Sequence, residues 1–260
     1  MKTWHDRKAT AFLAVGVCAL AATVATEVWA QAPTVDPAAT KILQRMTDYL
    51  GSLKQFSVQT QNTLEDLLAS GHRVDFDVSA QVIVSRPNKL HAERKGDLLD
   101  QTFYYDGKTL TLYNPSDKVY ATEPAPDTIE GVLDYARDAL GLTVPVADLV
   151  YRNAFPLLMQ DVTLAQVVGK AIIGGARCDH LVFSRPGVDF QVWVADGDQP
   201  VPYKYVVTDT GIPGRLSVTT VMSNWNVAPA VVDSRFTFVV PQGTTLITFM
   251  PLATSSGSSR

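Results

Sequence analysis

The sequence predicts an α+β protein, mostly β, built on a strongly curled antiparallel sheet of about 11–12 strands. Three observations support this fold class. Segments in which apolar and polar residues alternate recur along most of the chain, as expected of strands with one buried face. Turn signals such as Asp106-Gly107 separate these segments. Helical periodicity is confined to one stretch before the first strand and another in the middle of the chain.

An amphipathic helix precedes the first strand. Asp36 is suited to cap it, with Pro37 in its first position, and apolar residues recur at spacings of three and four as far as Leu53. A strand of about ten residues then begins at Phe56. Further strands are predicted at 74–85, 90–94, 101–105, 108–113 and 118–122. Short turns join these six strands, so we expect an antiparallel meander.

A helical insertion follows the meander. Asp127 or Thr128 caps its first helix, and shorter helical stretches are predicted at 146–152 and 156–159. The apolar face of the first helix comprises Ile129, Val132, Leu133, Ala136 and Leu140. Strands then resume at 164–173, 177–183, 189–195, 203–208, 215–222 and 235–240, with Trp225 in the loop before the last and an edge strand at 244–249. So many strands cannot stay flat; we expect an open half-barrel whose concave face the helices cover.

The first thirty residues have the pattern of an export signal. Lys2, Arg7 and Lys8 form a basic start, residues 9–25 are uncharged and largely apolar, and small residues allow cleavage near Ala30 or Ala32. The alternative is an uncleaved membrane anchor, although the apolar run is short for a span of about 20 residues. A lipid anchor on Cys18 is disfavoured because the bulky Val17 precedes it.

These features predict a periplasmic protein with four segments: a signal peptide (1–30), a leader (31–35), one domain (36–251) and a Ser/Gly-rich disordered tail (252–260). Removal of the signal leaves Cys178 as the only cysteine, so no internal disulfide is expected. The chain has a net charge of −4 with its charges scattered, which gives no footprint for nucleic acid. We expect a monomer.

Several motifs resemble those of the periplasmic lipoprotein carrier (LolA) superfamily. The matching segments are 84–90 (Val-Ser-Arg-Pro-Asn-Lys-Leu), 105–110 (Tyr-Asp-Gly-Lys-Thr-Leu) and 113–115 (Tyr-Asn-Pro). The second half is similar to a family of predicted periplasmic bacterial proteins of unknown function, through 175–181, 189–193, 202–205, 224–225 and 236–241. The resemblance implies the half-barrel fold and a concave face that binds acyl chains. It transfers no individual functional residue.

The leading hypothesis is therefore a non-enzymatic periplasmic binding protein that holds a lipid, a lipoprotein acyl chain or another apolar ligand in the concave groove. An equally simple interpretation of the groove residues is that they form core under the helices. The ligand's identity and the direction of any transport stay open. The candidate groove residues are Phe76, Val78, Val82, Leu110, Leu112, Val192, Val194, Leu216, Val218, Phe236 and Phe238.

Two other classes of function remain as alternatives. One is an envelope sensor or scaffold that binds an inner- or outer-membrane protein. The other is a hydrolase, suggested only by Cys178, Asp179 and His180. Alternate residues of a strand share a face, so Cys178 and His180 lie together and Asp179 opposite. Because free cysteine is usually buried, we favour a structural role and predict no catalytic residue. The scattered histidines have no metal-ligand spacing, so neither a metal nor a cofactor is expected.

Overall fold

The computed structural model describes residues 34–97, 99–142 and 146–249 of the 260-residue chain. All of these residues belong to one compact unit. The predicted signal peptide, residues 31–33 of the predicted leader and the predicted tail lie outside the described residues, so these three assignments stay predictions.

Helix α1 (Pro37–Ser52) begins and ends as the sequence predicts. Asp36 caps it, and its carboxylate accepts a hydrogen bond of 2.8 Å from the backbone N–H of Ala38. The helix is stabilised mainly by the stripe that it buries, because a helix of this length is marginal in isolation. The buried apolar residues of that stripe are Ala39, Leu43, Met46 and Leu50.

The six-strand meander is confirmed. Its strands are β1 (Gln55–Leu67), β2 (Arg73–Ser85), β3 (Lys89–Gly96), β4 (Asp100–Tyr105), β5 (Thr109–Asn114) and β6 (Val119–Pro124). Asp106 organises the tight turn between β4 and β5, where one carboxylate oxygen accepts hydrogen bonds from the backbone N–H groups of Lys108 and Thr109, each 2.9 Å long. These bonds lower the pKa of the Asp106 carboxyl, although its partial burial acts in the opposite direction.

The helical insertion is also confirmed. It contains α2 (Ile129–Asp138), the 3-10 helix η1 (Ala147–Val150) and α3 (Ala154–Met159). Thr128 is the cap of α2; its hydroxyl accepts a hydrogen bond of 3.1 Å from the N–H of Gly131. Strands β7 (Leu164–Ile173), β8 (Ala176–Arg185), β9 (Val188–Ala195), β10 (Pro202–Asp209) and β11 (Ser217–Asn226) follow. Trp225, predicted in a loop, lies within β11.

The end of the chain differs from the prediction. Residues 235–240 are not a strand: a 3-10 helix, η2 (Asp233–Phe236), is followed by extended chain without strand pairing. The predicted edge strand at 244–249 is reduced to β12 (Thr245–Leu246), which pairs with β6 in parallel. The apolar alternation at 236–240 was misleading because these side chains pack on a face of the sheet, as described below.

The twelve strands form one sheet in the order β12-β6-β5-β4-β3-β2-β1-β11-β10-β9-β8-β7. The strands at its two ends do not pair with each other, so the sheet is an open half-barrel, as predicted. We call the face that packs against α1, α2 and η1 the inner face. On β4 it carries the buried Phe103 and Tyr105, whereas Tyr104 between them lies on the outer face.

Candidate functional site

The inner face of the sheet divides into two parts. Helix α1 lies against β7, β8 and β9, and we call this part the helix-packed half. Phe183 and Phe190 are buried in this half, and their rings stack with centroids 4.7 Å apart. Two of the predicted groove residues, Val192 and Val194, are fully buried in this half. They therefore belong to a packed core in this conformation.

The other part of the inner face lies under α2 and η1, and we call it the cavity half. A cavity of about 50 Å³ separates strands β1, β2, β3 and β11 from these helices. Its lining residues are Phe56, Val58, Thr60, Val82, Leu90, Ala92, Leu133, Val146, Ala147, Leu149, Val150, Met222 and Trp225. A second cavity of about 20 Å³ shares part of this lining and reaches Phe103 and Leu112.

The larger of these two cavities is lined almost entirely by apolar groups. Thr60 supplies a hydroxyl near one end. The indole N–H of Trp225 is turned to the backbone, where it donates a hydrogen bond of 2.9 Å to the carbonyl of Pro202. The Trp225 ring packs on Phe56 with centroids 5.8 Å apart. An apolar cavity with so few polar groups does not hold ordered water, and it suits hydrocarbon.

A buried arginine fastens the cover of the cavity half to the sheet. Arg86 follows β2, and only 5% of its side chain is exposed. Its guanidinium donates a hydrogen bond of 2.7 Å to the carbonyl of Val150 in η1 and lies 3.7 Å from the Glu130 carboxylate of α2. Burial lowers the pKa of the Arg86 guanidinium, while Glu130 acts in the opposite direction. Glu130 also accepts a hydrogen bond of 2.7 Å from the N–H of Arg152.

The predicted groove residues are dispersed. Val82 and Leu112 line the two cavities, and Leu110 is fully buried in the core. Phe76, Val78 and Val218 share the inner face with Val82, as the strand register requires, but they lie towards the far end of the strands and outside the main core cluster. Leu216 precedes β11 at that same end and is half-buried.

Phe236 and Phe238 are the exceptions among the predicted groove residues. The ring centroid of Phe238 lies 5.3 Å from that of Tyr104, 5.4 Å from Tyr113 and 5.0 Å from Tyr120. These three tyrosines alternate with inner-face residues along β4, β5 and β6, so Phe238 packs on the outer face. Phe236 is buried beside Lys89, which is also an outer-face residue. Neither residue lies in the cavity half.

Most cavity residues were missed because the sequence does not reveal which strands lie under the insertion. Period-two alternation identifies Phe56, Val58 and Ala92 as inner-face residues, but it cannot separate the lining of a cavity from core. For Leu133 the signal was present in the apolar face predicted for α2. Leu149 and Val150 lie on a four-residue 3-10 helix, which is too short for a periodic pattern to identify.

Cys178, Asp179 and His180, which suggested the hydrolase alternative, each make contacts typical of structural residues. Cys178 is fully buried, and desolvation is the main cause of its raised thiol pKa, which suppresses the reactive thiolate. His180 stacks on Trp193 with centroids 4.0 Å apart and bonds to Gln191 across 2.9 Å. Asp179 pairs with Lys170 at 2.7 Å. The described residues contain no group of three or more His, Cys, Asp or Glu side chains arranged to hold a metal ion.

Comparison with known families identifies the chain. A family model described as "Predicted periplasmic protein (DUF2092)" matches residues 39–250. The chain belongs to the DUF2092 family. The resemblance to a predicted periplasmic family of unknown function is thereby confirmed. No curated protein matches the chain, and among the helices of the described residues none has the length and apolar character needed to cross a membrane.

Solved structures similar to this DUF2092 chain include the following three. An uncharacterised conserved protein from Thermus thermophilus is 12% identical, with a TM-score of 0.48 over 81% of this chain and 99% of that one. Lipoprotein LppX of Mycobacterium tuberculosis is 16% identical, with a TM-score of 0.43 over 76% and 100%. A LolA superfamily protein from Nitrosomonas europaea is 12% identical, with a TM-score of 0.39 over 77% and 97%.

Proposed function

We propose that this protein is a periplasmic binding protein that holds a lipid, a lipoprotein acyl chain or another apolar ligand in the cavity half of its inner face. The observation that carries this proposal is the cavity between the sheet and the insertion, whose described lining is apolar except for Thr60. In the helix-packed half, by contrast, α1 buries its apolar stripe against the sheet.

A ligand of useful size requires the cover to move. A cavity of about 50 Å³ is too small for a long acyl chain, since a single water molecule already needs roughly 10–15 Å³ of such cavity space. Lifting η1 and α2 from the sheet enlarges this space, with Leu133 and Leu149 leaving their buried positions. The closed arrangement is therefore the unliganded state of the proposed carrier.

The magnitudes favour long acyl chains over short ones. Each methylene group that leaves water contributes about 0.8 kcal/mol, so a chain of about twelve carbons gains close to 10 kcal/mol. Exposing Leu133 and Leu149 costs about 1.5–3 kcal/mol each, and losing the Arg86 bond to Val150 costs a further 1–3 kcal/mol or so. A chain of only four carbons, worth about 3 kcal/mol, does not offset these costs.

The proposal is tested with a variant that fills the cavity. Ala92→Leu adds three carbons to a cavity-lining position and should leave the fold at least as stable. Binding of an apolar fluorescent probe is titrated in the wild type, in Ala92→Leu and in the matched control Ala80→Leu. Ala80 lies on the inner face of the adjacent strand, opposite Arg94, and does not line the cavity.

We expect Ala92→Leu to weaken probe binding at least tenfold, while Ala80→Leu binds like the wild type. Equal binding by all three proteins would place the probe elsewhere and would contradict the assignment of the cavity half. Absence of binding by the folded wild type would contradict ligand carriage altogether.

One observation favours the sensor or scaffold alternative. Strand β7 ends the sheet, and the described chain covers its free edge only where Val35 bridges to Ala165. Val168 and Ile172 on this strand are 53% and 75% exposed. A free edge with exposed apolar side chains is suited to pairing with an extended segment of another protein.

The two functions are separated by substitution at this edge. Under the alternative, a photo-crosslinker next to Ile172 captures a membrane protein in cells, and Ile172→Lys abolishes the crosslink without affecting probe binding. Under the carrier proposal, Ile172→Lys changes neither the amount of apolar ligand bound to the protein nor the integrity of the cell envelope.

A further inference from the structure

The C-terminal part of the chain forms a strap across the outer face of the sheet. We define the strap as residues 227–249, which follow β11 and include η2 and β12. Val227 at its start packs against the main core cluster, and several further contacts anchor the strap. Phe236 and Phe238 pack on outer-face residues, and Lys89 forms an ion pair of 2.6 Å with Asp233. Two backbone hydrogen bonds, Thr245 N–H to the Lys118 carbonyl and Ile247 N–H to the Tyr120 carbonyl, join β12 to β6.

These anchors hold the strap only moderately. Asp233 is 87% exposed, so its ion pair with Lys89 contributes little. The ladder of two hydrogen bonds is weak, and the two phenylalanine rings supply much of the attachment. A perturbation comparable to one of these contacts is therefore enough to change the population of the docked strap about tenfold.

A histidine lies at the docking site without a full set of partners. His91 lies on the outer face of β3 and is only 2% exposed. Its ring meets Tyr104 of β4 edge-on, with centroids 4.9 Å apart. Its Nδ1 atom has no hydrogen-bond partner among the described residues. Burying a polar atom without a partner destabilises the docked strap, and protonating the ring destabilises it further.

The charges around His91 act in opposite directions. On β3, the Glu93 carboxylate lies 3.7 Å from Nε2 and favours the protonated ring, but its side chain is 50% exposed and thus screened. Arg235 in η2 disfavours the protonated ring. The ion pair of Lys89 and Asp233 lies at the same docking site. On β2, the residue that pairs with His91 is the apolar Ile83.

We propose that the strap is a pH-sensitive closure of the outer face, released when His91 is protonated. The imidazolium would be buried against the Tyr104 ring, with the Arg235 charge acting against it. Release of the strap moves Arg235 away and lets water solvate the new charge. It also uncovers Tyr104, Tyr113, Tyr120 and the free edge of β6, which together form a new apolar surface with an unpaired strand.

The sign of the effect follows from burial. Desolvation is the largest cause of the lowered pKa of His91 in the closed state, whereas a solvated histidine titrates at about 6.5. Above a pH of about 6.5, His91 is neutral whether the strap is docked or released, so pH does not change the balance between the two states. Below it the open state binds the proton more tightly, so the closed state loses up to about a factor of ten in population for each pH unit until the lowered pKa is reached.

Hydrogen exchange of the full chain measures this closure directly. The reporters are the amides of Thr245 and Ile247, which bond to β6, and an amide in the centre of the sheet reports global unfolding. After correction for intrinsic exchange rates, we expect the protection of the reporters to fall by up to about tenfold between pH 7.5 and pH 5.5, with the central amide unchanged. Phe238→Ala should lose this protection already at pH 7.5.

Two variants test whether His91 causes the pH-dependent loss of protection. His91→Phe keeps an aromatic ring and cannot titrate, so its strap should stay protected at pH 5.5. His72→Gln removes an exposed histidine and should behave like the wild type. Unchanged protection in the wild type, or the same loss in His91→Phe, overturns the proposal. Should His91→Phe fail to dock its strap at pH 7.5, the imidazole of wild-type His91 is followed by NMR: a titration midpoint that coincides with strap release supports the proposal, and a separate midpoint contradicts it.

Discussion

The two halves of the inner face share one strand pattern but differ in how helices cover them. In the helix-packed half, a regular sixteen-residue helix buries an apolar stripe against β7, β8 and β9. In the cavity half, α2 and a four-residue 3-10 helix lie over strands of similar composition and leave a cavity. A long helix fits a curled sheet closely, whereas short helices joined by turns leave gaps. The difference indicates that the cover, rather than the sheet, determines where the inner face leaves space.

The largest effect that distinguishes the halves concerns stability. Leu43→Ala removes a fully buried side chain from α1, and we expect a loss of about 3–5 kcal/mol in the free energy of unfolding. Leu133→Ala borders an existing cavity and should cost only about 2–3 kcal/mol, since fewer contacts are lost. Urea denaturation measures both. A larger loss for Leu133→Ala would reverse the assignment of the two halves.

The second prediction concerns ligand binding. Val82→Thr replaces a methyl group of the cavity lining with a hydroxyl of similar size, at a cost of about 1–3 kcal/mol when it is buried without a partner. We expect the affinity for an apolar probe to fall roughly tenfold. Val192→Thr makes the same change in the helix-packed half and should lower stability with unaltered affinity. If both variants weaken binding equally, the two halves do not differ in function.

The third prediction concerns the fastening of the cover. Arg86→Met removes the guanidinium bond to the Val150 carbonyl while keeping much of the apolar side-chain volume. Amides of η1 should then exchange with solvent at least tenfold faster, because a hydrogen bond from a charged group contributes about 1.5–3 kcal/mol. Arg215→Met removes a comparable but exposed ion pair with Asp189 and should leave exchange in η1 unchanged. Unaltered exchange in Arg86→Met would mean that other contacts hold the cover.

The smallest effect is expected at Cys178. Cys178→Ala removes one buried sulfur atom and should lower stability by about 1 kcal/mol, with probe binding unaltered. A loss of binding in a folded Cys178→Ala variant would show that the cluster of Cys178, Trp193 and Val206 takes part in function. A hydrolytic activity lost in the same variant would revive the enzyme hypothesis.

Period-two alternation was sufficient to predict most strands of the sheet. It identified strands β1 to β11 to within a few residues, because apolar and polar residues alternate along much of the sheet. It failed at 236–240, where the apolar residues are equally regular. Those side chains pack on an outer-face aromatic cluster that includes Tyr104 and Tyr120, and a residue pattern does not reveal whether burial comes from strand pairing or from docking on a face.

The candidate site was less predictable than the fold. An irregularity between Val167 and Gly169 shifts the register of β7, so that Ala171 and Ile173 pack against the outer-face cluster around Cys178. Such a shift has no clear signature in a single sequence. The cavity itself depends on how η1 and α2 sit on the strands, which is a matter of packing between distant segments. Alternation therefore could not separate Val82 and Leu112, which line the cavities, from Val192, which is core.

The central claim, that the cavity half carries an apolar ligand, is tested most directly by native mass spectrometry with lipid extraction. The protein is purified from a periplasmic fraction as the wild type and as Ala92→Leu, which fills the cavity. The account predicts a stoichiometric acyl-chain adduct on the wild type and little or none on the variant. A clean unliganded mass for the wild type, together with no displacement of an apolar fluorescent probe, would contradict it.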